Sequence, residues 1–471
     1  MVTSGWFSIL PPLIAITLAI LTRQVFISLG FGIWIGWVVL SHGNPLVGMA
    51  ATLEALVRVF QDADNTRIIL FSAMIGSLIA LTQRSGGVSG FVNFLMKRNW
   101  IRDRRGAQLL AWILGIVIFI ESSIKILIVG TICRPLFDKL KISREKLSYI
   151  ADSTSAPICM LIPLNAWGAF VIGLLAAQGV ADPTTVLIKS IPLNFYSIIT
   201  VLMVLGITLS GYDFGPMRKA ERRVVEEGKL LRDGAVPLVD ESIIEMKPIE
   251  GRRHLARNML IPVIVMSVAM PLFLIITGQG SITHGSGSTA VFWSVMLAIA
   301  VAGILYRAQS LMSTKEIMDL ILKGAGGMIS LAILMMLAFA LGQTCKMLGT
   351  GQYIAALTAP VLSTNIIPAI IFAVSALVAF ATGTSFGTFA LMIPLAVPLA
   401  AATQGNLPLV VSAVLAGGVF GDHCSPISDT TIVASMASAC DHIDHVNTQL
   451  PYALVSATIA FGLFLLAGYV I

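Results

Sequence analysis

The sequence is short of charge. Only 11% of its 471 residues are Asp, Glu, Lys or Arg, while 56% are hydrophobic and the mean hydropathy is +0.90. A soluble surface needs more charge than this, so the composition is that of a polytopic membrane protein. Between residues 324 and 421 the sole charge is Lys346. Cysteine is equally scarce. Cys133, Cys159, Cys345, Cys424 and Cys440 show no CxxC spacing and mostly sit in apolar runs. That argues against a disulfide framework or a zinc site and reads as buried free thiols. The first apolar run lacks a basic leader and a cleavage site, so it reads as a span and not a signal peptide. The net charge of +6 calls for no nucleic-acid partner, because Lys and Arg already orient membrane loops. No pattern calls for a cofactor.

What is present is a pair of interrupted apolar stretches. Leu409–Phe420 and Ile432–Cys440 are each too short to cross a bilayer, which needs ~20 residues. The segment between them, Gly421-Asp422-His423-Cys424-Ser425-Pro426-Ile427-Ser428-Asp429-Thr430-Thr431, carries two carboxylates, a histidine and four hydroxyls. Within lipid, unwound backbone survives only where it is buried in protein or lines a cavity. Ala151-Asp152-Ser153-Thr154-Ser155-Ala156-Pro157 interrupts the run Leu147–Gln178 in the same way, and Asp152-x-x-Ser155 repeats as Asp422-x-x-Ser425. Two such breaks point to an internal repeat and to a transport site.

The order of spans supports this. Basic loops at Lys97–Arg105 and Arg134–Lys146, with five Lys/Arg each, place both flanks of Gly106–Cys133 in the cytoplasm. A single crossing cannot do so. The segment therefore reads as a re-entrant hairpin with its tip at Glu121-Ser122-Ser123-Ile124-Lys125; one tilted span with a buried Glu121–Lys125 pair is the other reading. Asn365–Thr403 reads as a second hairpin, turning at Thr382-Gly383-Thr384-Ser385. Thr52–Phe60, Phe91–Met96 and Gly349–Leu357 read as short amphipathic pieces. The charged stretch 212–257, with ten Lys/Arg and nine Asp/Glu, reads as a cytoplasmic connector without a core.

The expected fold is thus an all-α polytopic membrane protein of two inverted-topology repeats. Each repeat has five spans, one re-entrant hairpin and a helix broken at the midplane. Residues 1–211 form the first repeat, 212–257 the connector and 258–471 the second repeat. Leu78–Leu95 and Ala338–Leu357 are similar enough to support the duplication.

The run Gly421–Thr431 (GDHCSPISDTT), continuing through Asp441-His442-Ile443-Asp444-His445 to Leu450-Pro451-Tyr452, resembles the NhaC-type sodium/proton antiporter family. So do Gly383-Thr384-Ser385-Phe386-Gly387-Thr388-Phe389 and Ile142-Ser143-Arg144-Glu145-Lys146-Leu147 followed by Asp152-Ser153-Thr154. The resemblance spans nearly the whole chain. It implies the inverted-repeat fold of a wider ion-transporter superfamily, with hairpin tips and broken helices forming the site and a transport domain moving against a scaffold. The first hairpin tip departs from the family, which often carries Asp-Asp-Tyr-x-Asn there. Lys125 stands where a neutral oxygen ligand is expected. An ammonium cannot ligate sodium, but it can occupy a cation site as a tethered charge.

The site residues read from these motifs are Glu121, Ser122, Ser123, Lys125, Asp152, Ser155, Thr382, Thr384, Ser385, Asp422, His423, Ser425, Asp429 and Thr430, with Na+ at Asp422, Ser425, Thr384 and Ser385. Bland readings stand beside each. An intramembrane carboxylate is costly and suggests function, yet Asp152, Asp422 and Asp429 can also cap half-helices. His423 can relay protons or bond its neighbours. Glu121 and Lys125 can be a titrating pair or a structural ion pair. Mid-helix Ser and Thr can bond back to their own helix. Asp441, His442, Asp444 and His445 read as a solvated helix end and not a metal cluster.

The leading function is a Na+/H+ antiporter working by alternating access. The alternative is a proton- or sodium-coupled carrier of a small organic acid or amino acid, whose carboxylate would meet Lys125 or half-helix N-termini. An enzyme is not expected. A hydrolase built on Asp422, His423 and Cys424 uses adjacent residues that rarely face one another, and leaves the duplication unexplained. Expected partners are Na+ and H+ or a small organic substrate, and membrane lipid. The expected setting is a bacterial inner membrane, and a homodimer is compatible with the sequence.

Overall fold

The computed structural model describes residues 5–22, 24–87, 89–91, 103–119, 122–237, 249, 253–280, 285–350, 353 and 363–471. Among these residues the structure is helical, with no strand. The short apolar helices α1 (Leu10–Thr22) and α2 (Val25–Leu40) pack together. α3 (Pro45–Arg58) begins well before the expected amphipathic piece, because Asn44 caps it and Pro45 is pre-set for a first turn. Asp62 then caps the span α4 (Ala63–Arg84).

Two helices, α5 (Arg104–Val117) and α6 (Ser122–Lys139), fold back on one another where the first hairpin is expected. The first broken stretch follows as three pieces: α7 (Arg144–Ser153), α8 (Ala156–Leu161) and α9 (Ala166–Ala177), the last bent 46° from the first two. The second break in this stretch was not anticipated. Its cause is Asn165, which caps α9 and places Nδ2 3.0 Å from the carbonyl of Phe119 and 2.8 Å from that of Ile162. α10 (Pro183–Ser190) and α11 (Phe195–Ser210) complete this half.

The connector is more structured than its composition suggests. Its first part is α12 (Gly215–Glu227), whose Met217, Ala220, Glu221 and Val224 are buried at helical spacing. Ion pairs hold it down. Lys146 Nζ lies 2.6 Å from Asp213 Oδ2, Arg223 lies 2.8 Å from Glu145, and Arg104 pairs with Glu221. The stretch has too few apolar residues for a core of its own, and its partners come from α5, α7 and α21.

In the second half come α13 (Arg257–Thr277), α14 (Gly287–Ala308), α15 (Thr314–Gly327) and α16 (Ile329–Leu348). α15 crosses α4 at Gly76 and Gly324, where a Cβ on either glycine would run into the backbone of the other. Where the second hairpin is expected lie α17 (Ile367–Thr382) and α18 (Ser385–Ala402), and where the second broken helix is expected lie α19 (Leu407–Cys424) and α20 (Asp429–Ala437); α17, α18 and α19 are each long and apolar enough to cross a membrane, contrary to the expectation of short legs. The last helix is α21 (His442–Val470). The expected amphipathic pieces Phe91–Met96 and Gly349–Leu357 lie mostly outside the described residues.

Nine helices among the described residues are long and apolar enough to cross a membrane, ten with the bent pair counted as a span. Together with the composition this makes an integral membrane protein. The charged residues gather by end. Arg232 pairs with Asp444 at the start of α21 beside the α7–α12 ion pairs, while exposed Lys346 lies next to Gly179 beyond the end of α9. Ser288 donates to Asp64 at 2.5 Å, joining the starts of α14 and α4.

Candidate functional site

The two hairpins each meet a broken helix. α7 ends at Ser153 and leaves its last carbonyls without helical donors. Lys125, one turn into α6 and fully buried, donates from Nζ to the carbonyls of Thr154 at 2.7 Å and Ser155 at 2.9 Å. A cation there also matches the negative end of the helix dipole. In the other half, Gly383 at the hairpin turn has φ +66°, and a Cβ there would stand 2.6 Å from the carbonyl oxygen of Ile427 in the break. Glycine is required twice over, by backbone conformation and by contact. Next to it, the hydroxyl of Ser385 donates to Asp422 Oδ2 at 2.6 Å and its amide to the same oxygen at 3.3 Å.

Asp422 is in the last turn of α19 and Asp152 in the last turn of α7, both buried. Asp152 Oδ2 accepts from Gln449 Nε2 at 2.7 Å and Thr431 Oγ1 at 3.3 Å, and His445 Nε2 lies 3.4 Å away. His423 joins the two breaks. Its Nε2 is 3.8 Å from Asp152 Oδ2 and 3.1 Å from Ser153 Oγ, its Nδ1 is 2.8 Å from the hydroxyl of Tyr196, and its carbonyl accepts from Gln449 at 2.6 Å. Each carboxylate is satisfied on one side only. Among the described residues, Asp152 Oδ1 and Asp422 Oδ1 are buried without a hydrogen-bond partner. A buried unpaired carboxylate oxygen is unfavourable, and it is the feature that a bound cation or proton relieves.

Other residues read from the sequence divide into two groups. Ser122 is buried at the start of α6. Several hydroxyls serve local backbone: Ser155 donates to the Asp152 carbonyl, Thr382 to the Val378 carbonyl, Thr384 caps α18 through the Gly387 amide, and Ser425 accepts from the Ile427 amide. Thr430 Oγ1 lies 3.1 Å from Ser428 Oγ. Ser428, not Asp429, is the N-cap of α20. Asp429 is that helix's first residue and Ser123 lies in α6; their side chains, and the whole of Glu121, lie outside the described residues. The four ligands assigned to Na+ therefore split: Asp422 and Ser385 meet, while Thr384 and Ser425 are turned to capping.

Tyr196, Ser153, Thr431 and Gln449 are not among the site residues read from the motifs, and His445 is read there as part of a solvated end. His445 corrects the expectation of a solvated helix end: it is fully buried, and only Asp441, His442 and Asp444 stay near the surface. The signal was the spacing His445, Thr448, Gln449, Tyr452, a polar stripe on one face of α21. Among the described residues no group of three or more His, Cys, Asp or Glu is arranged to hold a metal ion.

Comparison with known proteins agrees with the motifs. Residues 169–469 match the family model described as the Na+/H+ antiporter family. An uncharacterized protein of Haemophilus influenzae is 34% identical over 496 aligned residues, covering 99% of this chain and 92% of its own length. The malate-2H(+)/Na(+)-lactate antiporter of Bacillus subtilis is 34% identical over 96 residues, 20% of each chain. The YdaH transporter of Alcanivorax borkumensis superposes with a TM-score of 0.58 at 14% identity, over 89% of this chain and 88% of that one; that likeness is one of fold.

Proposed function

The chain belongs to the Na+/H+ antiporter family, and we propose that it is a secondary active transporter exchanging protons for sodium by alternating access. The observation that carries this reading is the pair Asp152 and Asp422. Two buried carboxylates at two helix breaks, each with one oxygen unpaired among the described residues, flank His423. Protons and a cation would compete for those oxygens. The pairing of each hairpin with the break in its own half supports two inverted repeats: Lys125 with Thr154, and Gly383 and Ser385 with Ile427 and Asp422. In this arrangement Lys125 supplies the charge of one cation permanently, leaving Asp422 and Ser385 as the exchangeable position. The expected setting is a bacterial inner membrane.

A second reading is a coupled carrier of a small organic acid or amino acid. It is favoured by the buried ammonium of Lys125 and by the organic-acid antiporter that part of the chain resembles. Purified protein in liposomes with an entrapped pH dye, challenged in turn with Na+, Li+, K+ and dicarboxylates, separates the two. Sodium-driven proton movement supports antiport. Proton movement that needs an organic acid supports the carrier, and none under any gradient removes both.

A further inference from the structure

The spanning helix α11 ends beside a cleft. Its sequence is apolar almost throughout, and Leu202, Gly206 and Leu209 lie exposed on one face at i, i+4 and i+7. Leu202 and Leu209 are both more than half exposed. Between them a Cβ on Gly206 would meet no atom within 4 Å, so the stripe has a hollow at its middle. Gly211 ends the helix with φ +68°, and Tyr212 follows, 63% exposed, as aromatic side chains do at a membrane surface. Tyr212 also lines the cleft, which has a volume of about 460 Å³ and lies between α5, the start of α7 and α12. The charges lining it do not cancel. Lys146 pairs with Asp213 at 2.6 Å, Arg222 with Glu226 at 3.2 Å, and Arg104 with Glu221. These pairs use every carboxylate in the lining. Arg105 on α5 and Arg218 on α12 line the cleft as well, both exposed, and neither has an ion-pair partner among the described residues.

We propose that the cleft holds the headgroup of an anionic phospholipid. Arg105 and Arg218 meet its phosphate, and an acyl chain runs along Leu202, Gly206 and Leu209. Guanidinium groups present forked donors that match phosphate oxygens. Basic pockets between membrane helices at the cytoplasmic end bind such headgroups, and the Lys/Arg distribution reads this end as cytoplasmic. Two unpaired positive charges favour a lipid of net negative charge over a zwitterionic one. The apolar stripe leading to Tyr212 favours a lipid over a soluble anion, which would use the arginines and leave α11 untouched. A lipid seated here touches α5 and α12 at once, so it ties the connector helix to the first helix pair. Binding of this kind stabilises the folded chain in proportion to lipid concentration. The proposal depends on the chain being a membrane protein and not on the ion it moves.

The test uses the full chain in a neutral detergent, with thermal unfolding and native mass spectrometry as readouts. Dioleoyl phosphatidylglycerol should raise the melting temperature saturably and remain bound in the mass spectrum. Dioleoyl phosphatidylcholine should need about tenfold more lipid for the same effect, and glycerol 1-phosphate should have none. Arg105→Gln with Arg218→Gln should weaken the phosphatidylglycerol effect about tenfold or more. Lys139→Gln with Lys219→Gln removes as much charge from exposed residues outside the cleft and should stay within about twofold of wild type. Should the double arginine variant fail to fold, the single variants decide, each weakening the effect about threefold or more. Equal loss in the arginine and lysine variants would overturn the site in favour of diffuse surface charge. Equal effects of the two lipids, or no effect of either, would overturn it too. An effect of glycerol 1-phosphate matching that of the lipid would assign the cleft to a soluble anion. Loss of a dimer without loss of bound lipid in the arginine variant would assign it to a second copy of the chain; either result overturns the proposal.

Discussion

The ammonium of Lys125 sits 2.7 Å from the carbonyl oxygen of Thr154, at the place where α7 unwinds. A free cation would look for just such oxygens. Lys125→Met removes the charge and leaves the Thr154 and Ser155 carbonyls without this donor. Hydrogen bonds to charged groups are worth roughly 1.5–3 kcal/mol, so the variant should unfold at lower temperature in detergent. It should also acquire or strengthen sodium dependence, and sodium should partly restore its melting temperature. Unchanged ion dependence at full activity would remove Lys125 from the mechanism.

Asp422→Asn keeps the shape of the side chain and removes its titration. We expect the variant to insert and fold, yet to lose proton-coupled flux by about tenfold or more, the equivalent of ~1.4 kcal/mol or more in barrier. Asp422→Glu should retain part of the flux with a displaced pH optimum. A normal coupled rate in the Asn variant would make Asp422 only a helix-end residue and move the search to Asp152.

The ion pairs made by α12 should differ sharply in weight, one docking it and one lying within it. Glu145 is 1% exposed and Arg223 14%, whereas Arg222 and Glu226 are more than half exposed. Arg223→Ala strands a buried carboxylate and should cost ~3–5 kcal/mol. Arg222→Ala should cost about 1 kcal/mol or less. Thermal unfolding of the two variants side by side gives the comparison, and equal losses would contradict the burial argument.

Topology can be read by labelling. All five native cysteines are buried, so a single cysteine in a cysteine-free background reports cleanly. An impermeant maleimide added to intact cells should reach Lys346→Cys and miss Leu230→Cys. The reverse pattern would invert the orientation drawn from the Lys/Arg distribution.

The breaks at Asp152 and Asp422 were legible because they violate the rule that lipid-embedded backbone must be continuous. Asp152 and Asp422 stood out for their position in otherwise apolar runs. The tertiary donors did not. His445 and Gln449 sit in a segment dense with Asp and His, which looks like a solvated end until α21 is folded back across α7. Tyr196 lies in a run where an aromatic is the ordinary filler, and only the bond of its hydroxyl to His423 distinguishes it. Asn165 was hidden for a similar reason, since its amide serves carbonyls on two different segments. The docking of α12 depended on apolar and charged surface supplied by helices more than 60 residues away, as Lys146 is from Asp213.

The crossing of α4 and α15 constrains how such a protein can move. At Gly76 and Gly324 the two main chains touch directly, with the Met328 side chain beside the contact. Two rods in that relation can pivot only about the point of contact, and any sliding would drive carbonyl into carbonyl. On the alternating-access reading proposed above, α4 and α15 are expected to move as one body or stay still as one, with the seam of motion passing around this pair.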